Sequence, residues 1–146
     1  MFLLIVLILS FCFAKLEIQI EGNAGWAKNL PTWRIEDHFL LKIFWGGRPL
    51  TGYHFWAMIF IFFAFHLPLA FIDVIDLKIE ARIIGGFILF WALEDFLWFI
   101  MNPDFGLKKF QKKNIPWHPR WFLGLPVDYW LFFPLSLILI YYSFIG

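Results

Sequence analysis

Thiols are nearly missing from this chain. Its one cysteine, Cys12, sits in an apolar run, so no internal disulfide, cysteine-based zinc site or redox pair is available. Serine is confined to Ser10, Ser136 and Ser143, all in apolar stretches, and neither a Gly-x-Ser-x-Gly elbow nor a glycine-rich phosphate loop occurs. These absences argue against serine catalysis and nucleotide hydrolysis. Charge is also scarce, at 16% of residues, and 12 Lys and Arg against 11 Asp and Glu leave a net charge of +1. No basic excess of the kind that binds nucleic acid is present. The four histidines show no His-x-x-His, Glu-x-x-His or His-Glu-x-x-His spacing.

What the chain has in abundance is apolar surface. It is 62% hydrophobic and 23% aromatic over 146 residues, with a mean hydropathy of +0.74. That composition excludes an ordinary soluble domain and any disordered class. The 21 Phe and 9 Trp exceed what a core of this size needs and fit a bundle whose outside meets lipid and whose rims carry aromatic belts.

Four apolar segments stand out: Met1 to Ala14, Tyr53 to Ile72, Ile83 to Met101 and Val127 to Ile145. The last three approach the length of about 20 residues needed to span a bilayer. The first is short, but no Lys or Arg precedes it and it lacks a small-x-small cleavage pattern, which favours a retained helix over a signal peptide. The expected fold is therefore an all-α integral membrane protein, a single domain with a bundle of four transmembrane helices.

Basic residues set the expected orientation. Lys15, Lys28, Arg34, Lys42 and Arg48 fall in the first connection, and Lys108, Lys109, Lys112, Lys113 and Arg120 in the third. Only Lys78 and Arg82 remain for the second. The positive-inside rule then places both basic loops in the cytoplasm and both termini outside, in a plasma membrane of the bacterial inner-membrane type.

The first loop is patterned like an amphipathic interfacial helix. Thr32 after Pro31 is a cap, apolar Trp33, Phe39, Leu40, Ile43, Phe44 and Trp45 alternate with Arg34, Glu36, Asp37, His38 and Lys42, and Gly46-Gly47 ends the run. The third loop opens at Asn102-Pro103 and closes on Pro116-Trp117-His118-Pro119-Arg120-Trp121, which suggests an ordered segment against the membrane surface. A faint internal parallel links Pro49 to Tyr53-His54 with Pro126 to Tyr129-Trp130, each just before a span.

Glu94 and Asp95 interrupt the third apolar segment. Each carboxylate costs roughly 2.5 to 3.5 kcal/mol near the bilayer centre on insertion scales, so both should face protein or trapped water, with partners. They lie roughly 10 to 12 Å from the helix end at Asn102, within reach of the cytoplasmic side. His54, Asp128, His118 and His38 fall on that same side. Neighbouring helical residues point about 100° apart, so the two carboxylates need different partners, with Arg34 or Arg120 as a candidate cation for one of them. The Asp95 face, with Trp91, Trp98 and Asn102, is the more polar and is expected to turn inward.

Glu94, Asp95 and His118 are thus the candidate catalytic groups. His54, Glu94, Asp95 and His118 are the candidate ligands for Fe, Mn or Zn, a choice set by imidazole and carboxylate donors without thiols. Each has a structural reading beside it. The carboxylates serve equally as bundle-holding partners, and His118 serves more readily as an interfacial anchor than as a base over the site. Asp128 at a helix start complements the helix dipole. His66, near Pro68, is expected to hydrogen-bond the carbonyl that the proline frees. Glu21 is a further carboxylate that nothing in the sequence fixes in place. Asp73, Asp76 and Glu80 share one face if the second span continues as a helix.

Three functions compete on these grounds. One is an enzyme working on a lipid-like or small apolar substrate at the cytoplasmic leaflet. Another is a non-catalytic structural or accessory subunit that binds a membrane-protein partner or a second copy of itself. The third is a proton-coupled transporter or channel component. Membrane lipids are the expected surroundings in all three, and nucleic acid is a partner in none.

Overall fold

The computed structural model describes residues 1–44, 47–74 and 76–145. It is mostly helical, and three of its helices are long and apolar enough to cross a membrane.

Helix α1 (Phe2–Glu21) runs seven residues past the expected end at Ala14. Lys15, Leu16, Glu17 and Gln19 are good helix formers, and nothing breaks the pattern until Gly22 takes a φ of 64°. Its buried stripe is Val6, Ser10, Ala14, Glu17, Ile18 and Glu21, a spacing of three and four residues. The last turn therefore carries two carboxylates into the interior, and Lys15 belongs to a helix instead of a loop.

Helix α3 (Gly52–His66) starts at Thr51, whose hydroxyl accepts the His54 N–H at 3.2 Å. Pro68 cannot donate, and the chain tightens into a 3-10 turn over Leu67–Phe71. His66 does not take the carbonyl freed by the proline. The Leu67 N–H takes the Ala64 carbonyl, while the His66 ring sits 2.7 Å from the Phe62 carbonyl and 3.1 Å from Glu80.

Asp76 then caps α4 (Leu77–Met101) by accepting the Ile79 N–H at 2.8 Å. The second span ends before Asp73, so no continuous helix carries Asp73, Asp76 and Glu80; Asp76 and Glu80 belong to the start of α4. Helix α6 (Val127–Tyr142) is apolar but only 16 residues long, with Pro134 inside it. It falls short of the other three as a span.

Helix α4 is the central element, packing along α1 and α6 and more lightly on α3. Its middle joins Val6, Ile61, Leu89, Phe90 and Ile140 in one core. Toward its end, Trp98 and Phe99 join Ala14, Ile18 and Ile115 in a second.

The first loop departs from the expected interfacial helix. Arg34–Ile35 (β1) pairs antiparallel with Leu50–Thr51 (β2), and among the described residues of the loop only α2 (Phe39–Phe44) is helical. Thr32 is drawn elsewhere, accepting the Tyr53 N–H at 3.0 Å, and Arg34 reaches back to the carbonyls of Trp26 and Ala27. Tertiary hydrogen bonds thus outweigh a short amphipathic pattern. Of the expected helix stop, Trp45 and Gly46 lie outside the described residues.

The third loop holds the single turn α5 (Gly106–Lys109) and a second two-residue pairing, Trp121–Phe122 (β3) with Leu125–Pro126 (β4). Both basic loops therefore close with a tiny antiparallel pair that feeds directly into a helix. This is the structural counterpart of the faint sequence parallel. Ile115 and His118 are sealed inside the third loop.

Candidate functional site

A cavity of about 290 Å³ opens at the end of the bundle where α1 and α4 finish and α3 and α6 begin. Its walls are Trp26, Trp91, Trp98, Phe99 and Trp117, together with Met58 and Phe132. Into it project Glu17 and Glu21 from α1, His54 from α3, Glu94 and Asp95 from α4, and Asp128 and Tyr129 from α6, with Arg48 from the first loop. An aromatic chamber with acidic groups gathered in it is the usual form of a small-molecule site.

The acidic and imidazole groups form two sets. In the first, Glu17 and Glu21, one helical turn apart, face His54, whose Nε2 lies 3.9 Å from Glu17 Oε1 and 3.6 Å from Glu21 Oε1. Glu94 stands beside Glu17. The loop after α1 is shaped to hold this set. Trp26 stacks on the His54 ring with centroids 4.1 Å apart, and the Ala27 N–H donates to Glu21. Both Trp26 and Ala27 have positive φ, at 63° and 51°, a region that side-chain-bearing residues rarely adopt. Arg34 secures that conformation by donating to both carbonyls, and the Trp26 indole donates to the Pro49 carbonyl at 2.7 Å.

The second set centres on Asp95. It accepts the Tyr129 hydroxyl and lies 3.2 Å from His118 Nε2. On the other edge of the imidazole, Arg48 Nη2 sits 2.8 Å from Nδ1. A guanidinium only donates, so Nδ1 is the acceptor and Nε2 carries the proton that goes to Asp95. Arg48 is itself paired with Asp128. The result is a continuous chain, Asp128 to Arg48 to His118 to Asp95, which fixes the carboxylate in the cavity wall.

The placement of the expected residues follows from this geometry. Glu94 and Asp95 do take different partners, but both face inward, because α4 is central and each side of it meets protein. Glu94 faces Glu17 on α1, and Asp95 faces α6 and the third loop. His118 is 1% exposed and stands behind Asp95, outside the cavity lining. It orients a carboxylate and is not placed to touch a substrate. The four expected ligands divide: His54 joins α1 carboxylates, Glu94 adjoins them, and Asp95 and His118 pair with each other.

Arg48 takes the cation's role that Arg34 or Arg120 was expected to fill; Arg34 serves the Trp26 turn and Arg120 is exposed. Asp128 lies in the first turn of α6, where it complements the helix dipole, and is also the ion-pair partner of Arg48. Glu17 escaped the sequence reading altogether. Its signal was the Glu17/Glu21 spacing of four residues in line with Ala14 and Ile18, which becomes visible only if α1 is extended past Ala14.

Several buried polar atoms at this end have no hydrogen-bond partner among the described residues: Glu17 Oε1, Glu94 Oε1, the indole nitrogens of Trp91 and Trp98, and the Tyr53 hydroxyl. Such groups are costly in a folded interior. Compared with known proteins, the chain matches no family model, no curated protein and no solved structure, so function has to be argued from these side chains.

Proposed function

We propose that this protein is a membrane-embedded enzyme that performs acid/base chemistry on a lipid-like or small apolar molecule. The observation that carries the reading is the pairing, in one aromatic cavity, of a carboxylate fixed by a proton-donor chain, Asp95, with buried carboxylates that lack partners, Glu17 and Glu94. Asp95 accepts two donors, which hold it as a fixed carboxylate able to orient a substrate or stabilise positive charge, while the unpartnered Glu17 and Glu94 are the groups that exchange a proton. Trp91 and Trp98 offer free N–H donors to a polar head, and the aromatic walls accommodate an apolar body.

In this reading α6 is the fourth span, the chain lies in a plasma membrane, and the cavity opens to the cytoplasmic side, next to Lys108, Lys109, Lys112 and Lys113. The relay alternative has less support. Beyond the cavity, the described buried residues of α1, α3, α4 and α6 are apolar apart from Ser10 and Ser136 and include no titratable group to carry a proton onward. The accessory-subunit alternative draws on one observation, that the Asp95 network also staples the third loop to the bundle.

The test is untargeted mass spectrometry of a lipid extract incubated with protein in nanodiscs. Wild type is expected to deplete at least one species. Asp95→Asn and Glu94→Gln should each slow that depletion by about 100-fold or more, the usual size of a lost acid/base group. If wild-type and heat-inactivated protein leave the same profile, the enzyme reading is wrong and the accessory role takes its place.

A further inference from the structure

We propose that Glu17, Glu21 and His54 form a divalent-metal site, with Glu94 as an additional oxygen ligand, suited to Mn(II) or Fe(II) and able to accept Zn(II). One ligand atom from each of the three residues lies within 4.8 Å of the others, and all three side chains are buried. The imidazole gaps of 3.6 and 3.9 Å are too long for hydrogen bonds. They fall between the separations of about 3.0 Å for adjacent and about 4.2 Å for opposite ligand atoms held about 2.1 Å from an octahedral Mn(II) or Fe(II), and near the separation of about 3.4 Å on a tetrahedral Zn(II).

A second observation points to a ligand independently of the cluster. Glu17 is 5% exposed and Glu94 3% exposed, yet each has an Oε1 without a hydrogen-bond partner, and the two carboxyl groups adjoin each other. Among the described residues no Lys or Arg forms an ion pair with Glu17, Glu21 or Glu94. Three buried carboxylates without a cation are strongly unfavourable, and a divalent ion supplies the missing charge.

The surroundings are those of a ligating histidine. His54 Nδ1 is 2.6 Å from Thr51 Oγ1. Because Nε2 has no acceptor within hydrogen-bond distance, the tautomer that fits carries its proton on Nδ1, donates it to Thr51 and leaves the Nε2 lone pair facing the carboxylates. Trp26 holds the ring plane, and the Ala27 N–H occupies one lone pair of Glu21 Oε1, leaving the second for the ion. Oxygen-rich donors with one imidazole and no thiol select Mn(II) and Fe(II) and tolerate Zn(II).

The ion's role in turnover rests on the proposed enzyme function, but its binding does not. The experiment is Mn(II) titration of chelator-stripped, detergent-purified full-length protein, followed by electron paramagnetic resonance, with circular dichroism as the check on folding. Wild type should bind one Mn(II) per chain. Glu17→Gln and His54→Gln should weaken binding at least 10-fold, and Thr51→Val by about 10-fold, with recovery in Thr51→Ser. Asp95→Asn, in the other set, should bind as wild type does. Folded wild type that takes up no stoichiometric Mn(II), Co(II) or Zn(II), or a Glu17→Gln variant that binds like wild type, overturns the site. Metal bound without turnover leaves the site standing and counts only against the enzyme.

Discussion

Replacing Asp95 by alanine should lower the thermal midpoint of the detergent-solubilised protein by about 10 °C, while Glu94→Gln, one residue away, should leave it unchanged or raise it. Asp95 accepts from two buried donors, Tyr129 and His118. Removing it strands both and breaks the link from α4 through His118 to Arg48 and Asp128. Each stranded donor costs about 1 to 3 kcal/mol. A total on the order of 3 kcal/mol corresponds to roughly 6 to 12 °C in a chain of this size. Glu94 presents the opposite case, since its Oε1 has no partner and it adjoins two more carboxylates. An amide of the same shape can donate to Glu17 as the carboxyl group does and strands no donor. The comparison is made on chelator-treated protein by differential scanning fluorimetry. Equal losses in the two variants would mean that Asp95 is no better supported than its neighbour, and the network described around it would be wrong.

The second large effect concerns the α4–α6 contact. A Cβ at Gly85 would sit 2.9 Å from Ile140 Cγ1 and 3.0 Å from both Leu139 Cβ and the Ser136 carbonyl oxygen. Backbone and branched side chain leave no room, and small residues at such crossings are what allow apolar helices to approach closely. Gly85→Val should therefore cost about 2 to 3 kcal/mol, as overpacking does in cores. Gly86→Ala is the control. Its new methyl meets the far end of the Phe2 ring at 2.5 Å, on the first residue of α1, which can swing aside. That variant should lose less than about 1 kcal/mol. Midpoints that fall together would place the rigid contact on the α1 side instead.

Helicity, three helices long and apolar enough to cross a membrane, and the two inward carboxylates on α4 were legible from the sequence because they rest on long-range hydropathy and on the cost of burying charge. The opposite fates of Glu94 and Asp95 were partly legible too, since a 100° offset requires separate partners. Three things were not. Glu17 was lost because apolarity fades after Ala14 although helix-forming residues continue to Glu21. The first loop was read as a helix from Thr32, whereas Thr32 and Arg34 are committed to Tyr53, Trp26 and Ala27, contacts that no local pattern reveals. His118 looked like a group that reaches over the site. Its burial behind Asp95 depends on the third loop folding back, with Ile115 and Trp117 packed on Trp98 and Phe99.

With α6 as the proposed fourth span, its shortness has a consequence for the surrounding bilayer. Sixteen residues cover about 24 Å, against a hydrocarbon thickness of about 30 Å. A span that is too short draws the headgroup boundary inward along its flank. Asp128 and Tyr129 sit at the first turn of α6 and line the cavity, so in the membrane reading the thinned patch lies at the cavity mouth. Lipid headgroups would then meet the acidic groups at their own depth, without any lipid being lifted out of its leaflet. The protein should accordingly melt higher in bilayers of 14-carbon acyl chains than in bilayers of 20-carbon chains, and an equal midpoint in both would show that α6 imposes no such thinning.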